Sequence, residues 1–276
     1  MAAKPQLSNA AKPATFEVEA YNERGEMVPT AVAGEHPLTL YLDKREIVTL
    51  MTLGHAPEAL AIGYLRNQRL ASSIDDIAAV QVDWETESAA ITTHSKKVPQ
   101  SLGKKTVTTG CGQGTVFGDL MEEVDSIRLR EDVRLADTDL FVLLEKVRRH
   151  ETIYKQAGAV HGCALATTAG DILMFVEDVG RHNAVDAIAG FMWLEGIDGA
   201  DKLFYTTGRL TSEMVIKCAQ MRIPFLVSRS GLTHMGHAIA RKVGITMLGR
   251  ASGRHYLAFT GKERLVRTAP APTALA

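Results

Sequence analysis

HGCALATTAGDILMFVEDVGRHNAVDAIAGFMWL, residues His161–Leu194, decides the fold. Its two apolar runs, His161–Thr167 and Ile172–Val176, flank a short polar turn holding Gly170 and read as strands. Gly180 then breaks the pattern, and from Arg181 to Leu194 the apolar residues follow a helical period. Downstream the alternation continues. Strands are expected at Lys202–Thr206, Pro224–Ser228 and Ile245–Leu248, with helices over Thr211–Met221 and Thr233–Val243 between them. Strands separated by helices need crossover connections, so the expectation is an α/β fold with a largely parallel or mixed sheet.

Upstream, Leu38–Leu42 and Glu46–Leu53 read as strands around a turn at Asp43–Lys44. Pro57 suits the first position of a helix whose apolar face carries Leu60, Tyr64 and Leu65. Two short strands follow near Ala79–Val82 and Ala89–Thr93. Ser95–Asp125, rich in Lys, Thr and Gly, reads as a mobile loop. A helix from about Asp139 to Gln156, capped by Asp137 or Thr138, would bury Leu140, Leu143, Leu144 and Val147. The division expected is a flexible lead-in at 1–15, a smaller α+β region at 16–125 ending in the cysteine loop, a larger α/β domain at 126–267, and a frayed tail at 268–276.

The 276 residues can bury a sizeable core, and 46% hydrophobic with 23% charged residues is ordinary for a soluble globular protein. A net charge of -1 gives no global reason to expect a nucleic-acid or membrane partner, and no run of about 18 apolar residues suggests a spanning helix. Three cysteines make a poor disulfide framework and suit a reducing compartment. With no apolar signal core before Pro13, the expected location is the cytoplasm.

Four strand ends of the second half carry loops of one kind. They hold Gly180, Arg181 and His182; Gly208 and Arg209; Ser228, Arg229 and Ser230; and Arg250, Ala251, Ser252, Gly253, Arg254 and His255. In open α/β sheets ligands sit outside the carboxyl ends of the strands. Three of these loops feed helix N-termini, where orphan N–H groups and the dipole favour an anion, and arginine adds bidentate phosphate recognition. The set converges on a pocket for a phosphorylated ligand such as a nucleotide diphosphate; the alternative is ordinary loop residues whose Ser and Thr cap helices. No GxxxxGK[ST] is present, which argues against nucleoside-triphosphate hydrolysis. Asp178, Asp186 and Glu213 flank the loops and are read as groups that orient Arg or His or cap backbone N–H. His161 stays open between a site role and a hydrogen-bonded core position.

Cys111 stands in TVTTGCGQGTVFGDL, between two glycines, with Lys104 and Lys105 upstream to favour the thiolate. Its alternatives are a carrier thiol and a plain loop cysteine. Cys163 on a strand and Cys218 in a helix read as small buried hydrophobes. No CxxC, paired Cys/His spacing or zinc-deaminase PCxxC occurs, so no metal site of its own is expected.

The strings GAVHGCAL, EDVGRHNAVD, TTGRLTSEMVIKCAQMRIPFLVSRSGLT and GITMLGRASGRHYLAFT resemble, in that order, the FdhD family of formate dehydrogenase accessory proteins. The resemblance extends upstream through EHPLTLYLDKREIVTLMTLGHAPEALAIGYL and TTGCGQG, covering roughly Glu35–Thr260. It implies a cytidine-deaminase-like domain without the deaminase zinc, usually in a homodimer. It also implies a carrier that takes sulfur from a cysteine desulfurase as a persulfide on Cys111. The sulfur goes to the Mo-bis(molybdopterin guanine dinucleotide) of the formate dehydrogenase catalytic subunit, held by Arg250–His255 with help from Arg181, Arg209 and Arg229. Such a carrier is a sulfurtransferase-type relay more than a conventional turnover enzyme. Two departures stand out. Gly114 replaces the second loop cysteine of many members, which excludes an intraloop disulfide relay, and Gln68–Arg69 replaces a Glu-Gly after the first helix. The alternatives left open are a chaperone that inserts the cofactor without moving sulfur, and a nucleotide-modifying enzyme on the same fold.

Overall fold

The computed structural model describes residues 4–95, 127–150 and 152–268. Cys111, Lys104, Lys105 and most of the tail lie outside the described residues. The fold is mixed α/β, and the described residues fall into two compact units that interleave along the chain. The first comprises 4–95, 152–163 and 176–197; the second comprises 127–150, 164–175 and 198–268.

In the first unit a five-stranded mixed sheet has the order β1 (Gln6–Leu7), β6 (Ile77–Asp83), β7 (Ser88–Thr93), β4 (His36–Leu42), β5 (Arg45–Thr52). Residues before Phe16, read from composition as a lead-in, thus supply a strand parallel to β6, and Glu58 holds the segment by accepting from Ser8 Oγ (2.6 Å) and Ala10 N (2.8 Å). Strands β2 (Thr15–Tyr21) and β3 (Met27–Ala33) form a separate antiparallel hairpin that the sequence reading did not assign. Helix α1 (Pro57–Asn67) starts on the expected proline and packs against a helix at Arg181–Leu194. Two glycines allow that approach. A Cβ on Gly63 would lie 1.6 Å from Asp186 O, and one on Gly190 would lie 1.9 Å from Ala59 O, so only glycine lets these backbones touch. Asn67 Nδ2 donates to Asp186 Oδ1 (2.7 Å) and Arg66 Nη1 to Ala189 O (2.8 Å) along the same seam.

The helix expected over 139–156 is divided: α2 spans Asp137–His150 and a short α3 spans Ile153–Ala157. The cause is a distant carboxylate. In the first unit Glu177 accepts from Thr152 N, Thr152 Oγ1, Ile153 N and Tyr154 N at 3.0–3.2 Å, capping a new helix start.

The second unit is built on a six-stranded sheet of order β10 (Ile172–Asp178), β9 (His161–Thr167), β11 (Lys202–Thr206), β12 (Phe225–Ser228), β13 (Thr246–Ser252), β14 (His255–Ala258); the first residues of β9 and the last of β10 belong to the first unit. The pairs β11–β12 and β12–β13 are parallel, as crossover helices require; β13–β14 is antiparallel. With α4 named for Arg181–Leu194, the crossovers of this unit are α5 (Ser212–Gln220) and α6 (His234–Val243). The expected stripe Leu140, Leu143, Leu144 and Val147 on α2 packs with Ala164, Leu203, Tyr205, Phe225 and Val227 in one buried cluster.

Candidate functional site

In the second unit the carboxyl ends of β11, β12 and β13 are laced together by short polar contacts. Thr206 and Ser228 are fully buried posts. Thr206 Oγ1 accepts from Gly208 N (3.0 Å); Ser228 Oγ donates to Gly208 O (2.6 Å) and accepts from Ser230 N (2.9 Å). Arg229 N donates to Thr206 O (3.2 Å), and Arg250 N donates to Ser230 O (2.9 Å). Each of the three loops therefore has its backbone fixed by its neighbour, while Arg209, Arg229 and Arg250 stand exposed, one per loop. A Cβ on Gly236, in the first turn of α6, would lie 2.7 Å from Leu210 O, so that turn presses onto the β11 loop.

Beside these arginines two helices begin. Thr233 Oγ1 caps α6 by accepting from Gly236 N (3.1 Å). Thr211, the cap residue of α5, makes no such bond, and its buried hydroxyl has no hydrogen-bond partner among the described residues. The first turn of α5 thus has no side-chain cap from Thr211. Glu213 on that turn lies 3.5 Å from the buried Lys217, so its charge is engaged along the helix.

The stretch expected to follow a strand ending at Leu248 is itself strand. β13 runs to Ser252 through a register shift between Gly249 and Ser252, turns at Gly253–Arg254 and returns as β14. Arg250 occupies the shift with φ +52, a left-handed conformation that a bulge imposes on a non-glycine residue and that re-aims its side chain. Gly253 (φ +58) makes the turn, Arg254 stands at its exposed tip with Ser252 and His255 paired beneath, and Ala251 is buried in the core.

Arg181 belongs to the first unit, as the half-buried first residue of α4, with His182 buried behind it. The loop before it is organised by Asp178, 5% exposed, which accepts from Thr52 Oγ1 (2.6 Å), Leu53 N (3.1 Å), Gly180 N (2.9 Å) and Asn183 Nδ2 (2.8 Å). Burial pushes its carboxyl above the usual range, and the four donors oppose that shift. Asp178 therefore caps backbone N–H groups, as the sequence suggested, and orients an asparagine where an arginine or histidine was expected. Asp186 holds Asn67. His161 is half-buried at the first position of β9, and Cys163 and Cys218 are fully buried, as expected. Ser228 was named from sequence as a loop residue of the anion site, not as a brace; Thr206 was not singled out, its only signal a hydroxyl at a strand end. Among the described residues no group of three or more His, Cys, Asp or Glu could hold a metal ion, and no helix is long and apolar enough to cross a membrane.

The chain is thus a mixed α/β protein with arginine-bearing loops braced at three adjacent strand ends. The model of the FdhD/NarQ family matches residues 33–266, and the chain belongs to that family. It is similar to the sulfur carrier protein FdhD of Listeria monocytogenes, 28% identical over 254 residues that cover 91% of this chain and 95% of that one. The sulfur carrier protein FdhD of Sulfurisphaera tokodaii is 29% identical over 249 residues, 89% of this chain and 95% of that one. A crystal structure described as a putative formate dehydrogenase accessory protein from Desulfotalea psychrophila superposes with a TM-score of 0.74 at 25% identity, covering 92% of this chain and all of the other.

Proposed function

We propose that this protein is a sulfur carrier for formate dehydrogenase maturation, moving sulfur as a persulfide on Cys111 from a cysteine desulfurase to a bis-guanine-dinucleotide molybdenum cofactor. The observation that carries the acceptor side is the braced trio Arg209, Arg229 and Arg250 beside the uncapped start of α5. Guanidinium forks and the N–H groups of a helix start suit the diphosphates of a guanine dinucleotide. Arg254, at the hairpin tip, and His255 extend the same edge. The donor side rests on the names of the relatives and on a thiol flanked by Gly110 and Gly112. The Cys111 thiolate attacks the outer sulfur of the desulfurase persulfide. A new S–S bond forms on Cys111, the old one breaks, and the desulfurase leaves as thiolate. Transfer to the cofactor would break that S–S bond with its electron pair left on Cys111 as thiolate, the acceptor supplying the pair that binds the outer sulfur. With Gly114 at the second position, no neighbouring loop thiol displaces the sulfur, so the acceptor itself must take it. The protein works in the cytoplasm, as a homodimer, with the formate dehydrogenase catalytic subunit as recipient.

The Gly114 departure also favours a second reading, a cofactor chaperone that moves no sulfur. Two variants separate them in cells lacking the native gene. Under the carrier reading Cys111→Ser abolishes formate dehydrogenase activity and Arg254→Ala lowers it. Under the chaperone reading Cys111→Ser retains full activity while Arg254→Ala does not.

A further inference from the structure

At the amino end of β13, the edge of the sheet opposite the arginine loops, a cavity of about 530 Å³ opens beside the end of α6. Arg264 forms part of its wall. This side chain is only 6% exposed, yet among the described residues its one hydrogen bond is from Nη1 to Gly244 O (2.8 Å), and no described carboxylate lies within ion-pair distance. Arg134 bonds only the backbone carbonyls of Glu131 and Val133. Arg241, Glu131 and Glu263 also line the cavity, and among the described residues their side chains form no ion pair or hydrogen bond. The unused N–H donors of Arg264 are not sealed from solvent, and burial holds its pKa below the usual value, opposed by the Glu263 and Glu131 carboxylates. Arg264 faces the cavity.

We propose that this cavity binds a small monocarboxylate, with its carboxylate on Arg264 and Arg241 and its short apolar body against Phe259. The charge count sets the class. Three arginines against two glutamates leave a single net positive charge on the wall, and the carbonyl end of α6 adds about half a negative charge. One carboxylate matches that field; a phosphate dianion would meet Glu131 and Glu263 with its second charge. The exposed ring of Phe259 rewards a hydrocarbon body that an inorganic ion lacks.

The full chain titrated with sodium butyrate, followed through the backbone amide resonances of Gly244 and Gly261, tests this. Saturable shifts at both amides are expected, with millimolar affinity for butyrate and weaker binding of inorganic phosphate. Arg264→Lys, which keeps the charge and loses the fork, should weaken butyrate at least tenfold. Arg241→Ala, at an exposed rim position that leaves the core untouched, should weaken it several-fold. The proposal is overturned if Gly244 and Gly261 stay unshifted, if phosphate binds more tightly than butyrate, or if Arg241→Ala binds butyrate as the parent does.

Discussion

Replacing Asp178 by alanine removes one acceptor from four buried donors: Thr52 Oγ1, Leu53 N, Gly180 N and Asn183 Nδ2. A buried donor left without a partner costs about 1–3 kcal/mol. Taking the low end for each, because water can enter the vacated space, gives a loss of about 4 kcal/mol, a large part of the roughly 5–15 kcal/mol that stabilises a typical domain. Both tryptophans, Trp84 and Trp193, lie in the first unit with Asp178, so their fluorescence reports that unit directly. With a urea slope of about 2 kcal/mol/M, the midpoint should fall by roughly 2 M. Asp178→Asn, which keeps one oxygen but turns an amide toward donors, should lose about half as much. The raised pKa adds a pH signature. The folded protein keeps the Asp178 proton to higher pH than the unfolded chain does, so it binds more protons between the ordinary carboxylate pKa and the folded one. Across that window the Asp178 contribution to stability falls as pH rises, and above it the contribution is constant. The stability difference between parent and Asp178→Asn should therefore vary with pH only there. An Asp178→Ala protein whose urea midpoint matches the parent would refute the hub assignment.

Gly190→Ala places a Cβ 1.9 Å from Ala59 O and forces α1 and α4 apart; a loss of about 3 kcal/mol, and a Tm lower by roughly 10 °C in calorimetry, are expected. An unchanged Tm would contradict the helix contact described. Arg69 holds φ +57 just beyond α1, where relatives were expected to carry glycine. Arg69→Gly should therefore raise stability by about 1 kcal/mol in urea unfolding, and a decrease would show that the side chain contributes more than its backbone costs.

Much of this architecture was legible in the sequence where local signals were strong. β9 and β11 and the helix Arg181–Leu194 fall where apolar period and glycine punctuation put them. The repeated strand-to-arginine loops foretold that Arg209, Arg229 and Arg250 would share one edge. What was missed depends on distant partners. The break between α2 and α3 comes from Glu177, more than twenty residues from the donors it caps. Gly249, Arg250 and Gly253 read as loop because a bulge and a tight turn use the same residue types as a loop does. The β2–β3 hairpin was readable: Phe16, Val18 and Ala20 alternate with Glu17 and Glu19, and Arg24–Gly25 marks its turn. The brace from Ser228 Oγ to Gly208 O needed the folded loops, since it joins loops twenty residues apart.

The central claim is that one thiol carries the sulfur. Incubation of the protein with a cysteine desulfurase and cysteine, followed by intact and peptide mass spectrometry under non-reducing conditions, reads it directly. The account predicts the added mass of a single sulfur atom on the peptide containing Cys111, removed by dithiothreitol and absent from Cys111→Ser. Sulfur found only on Cys163 or Cys218, or on no cysteine at all, would contradict it.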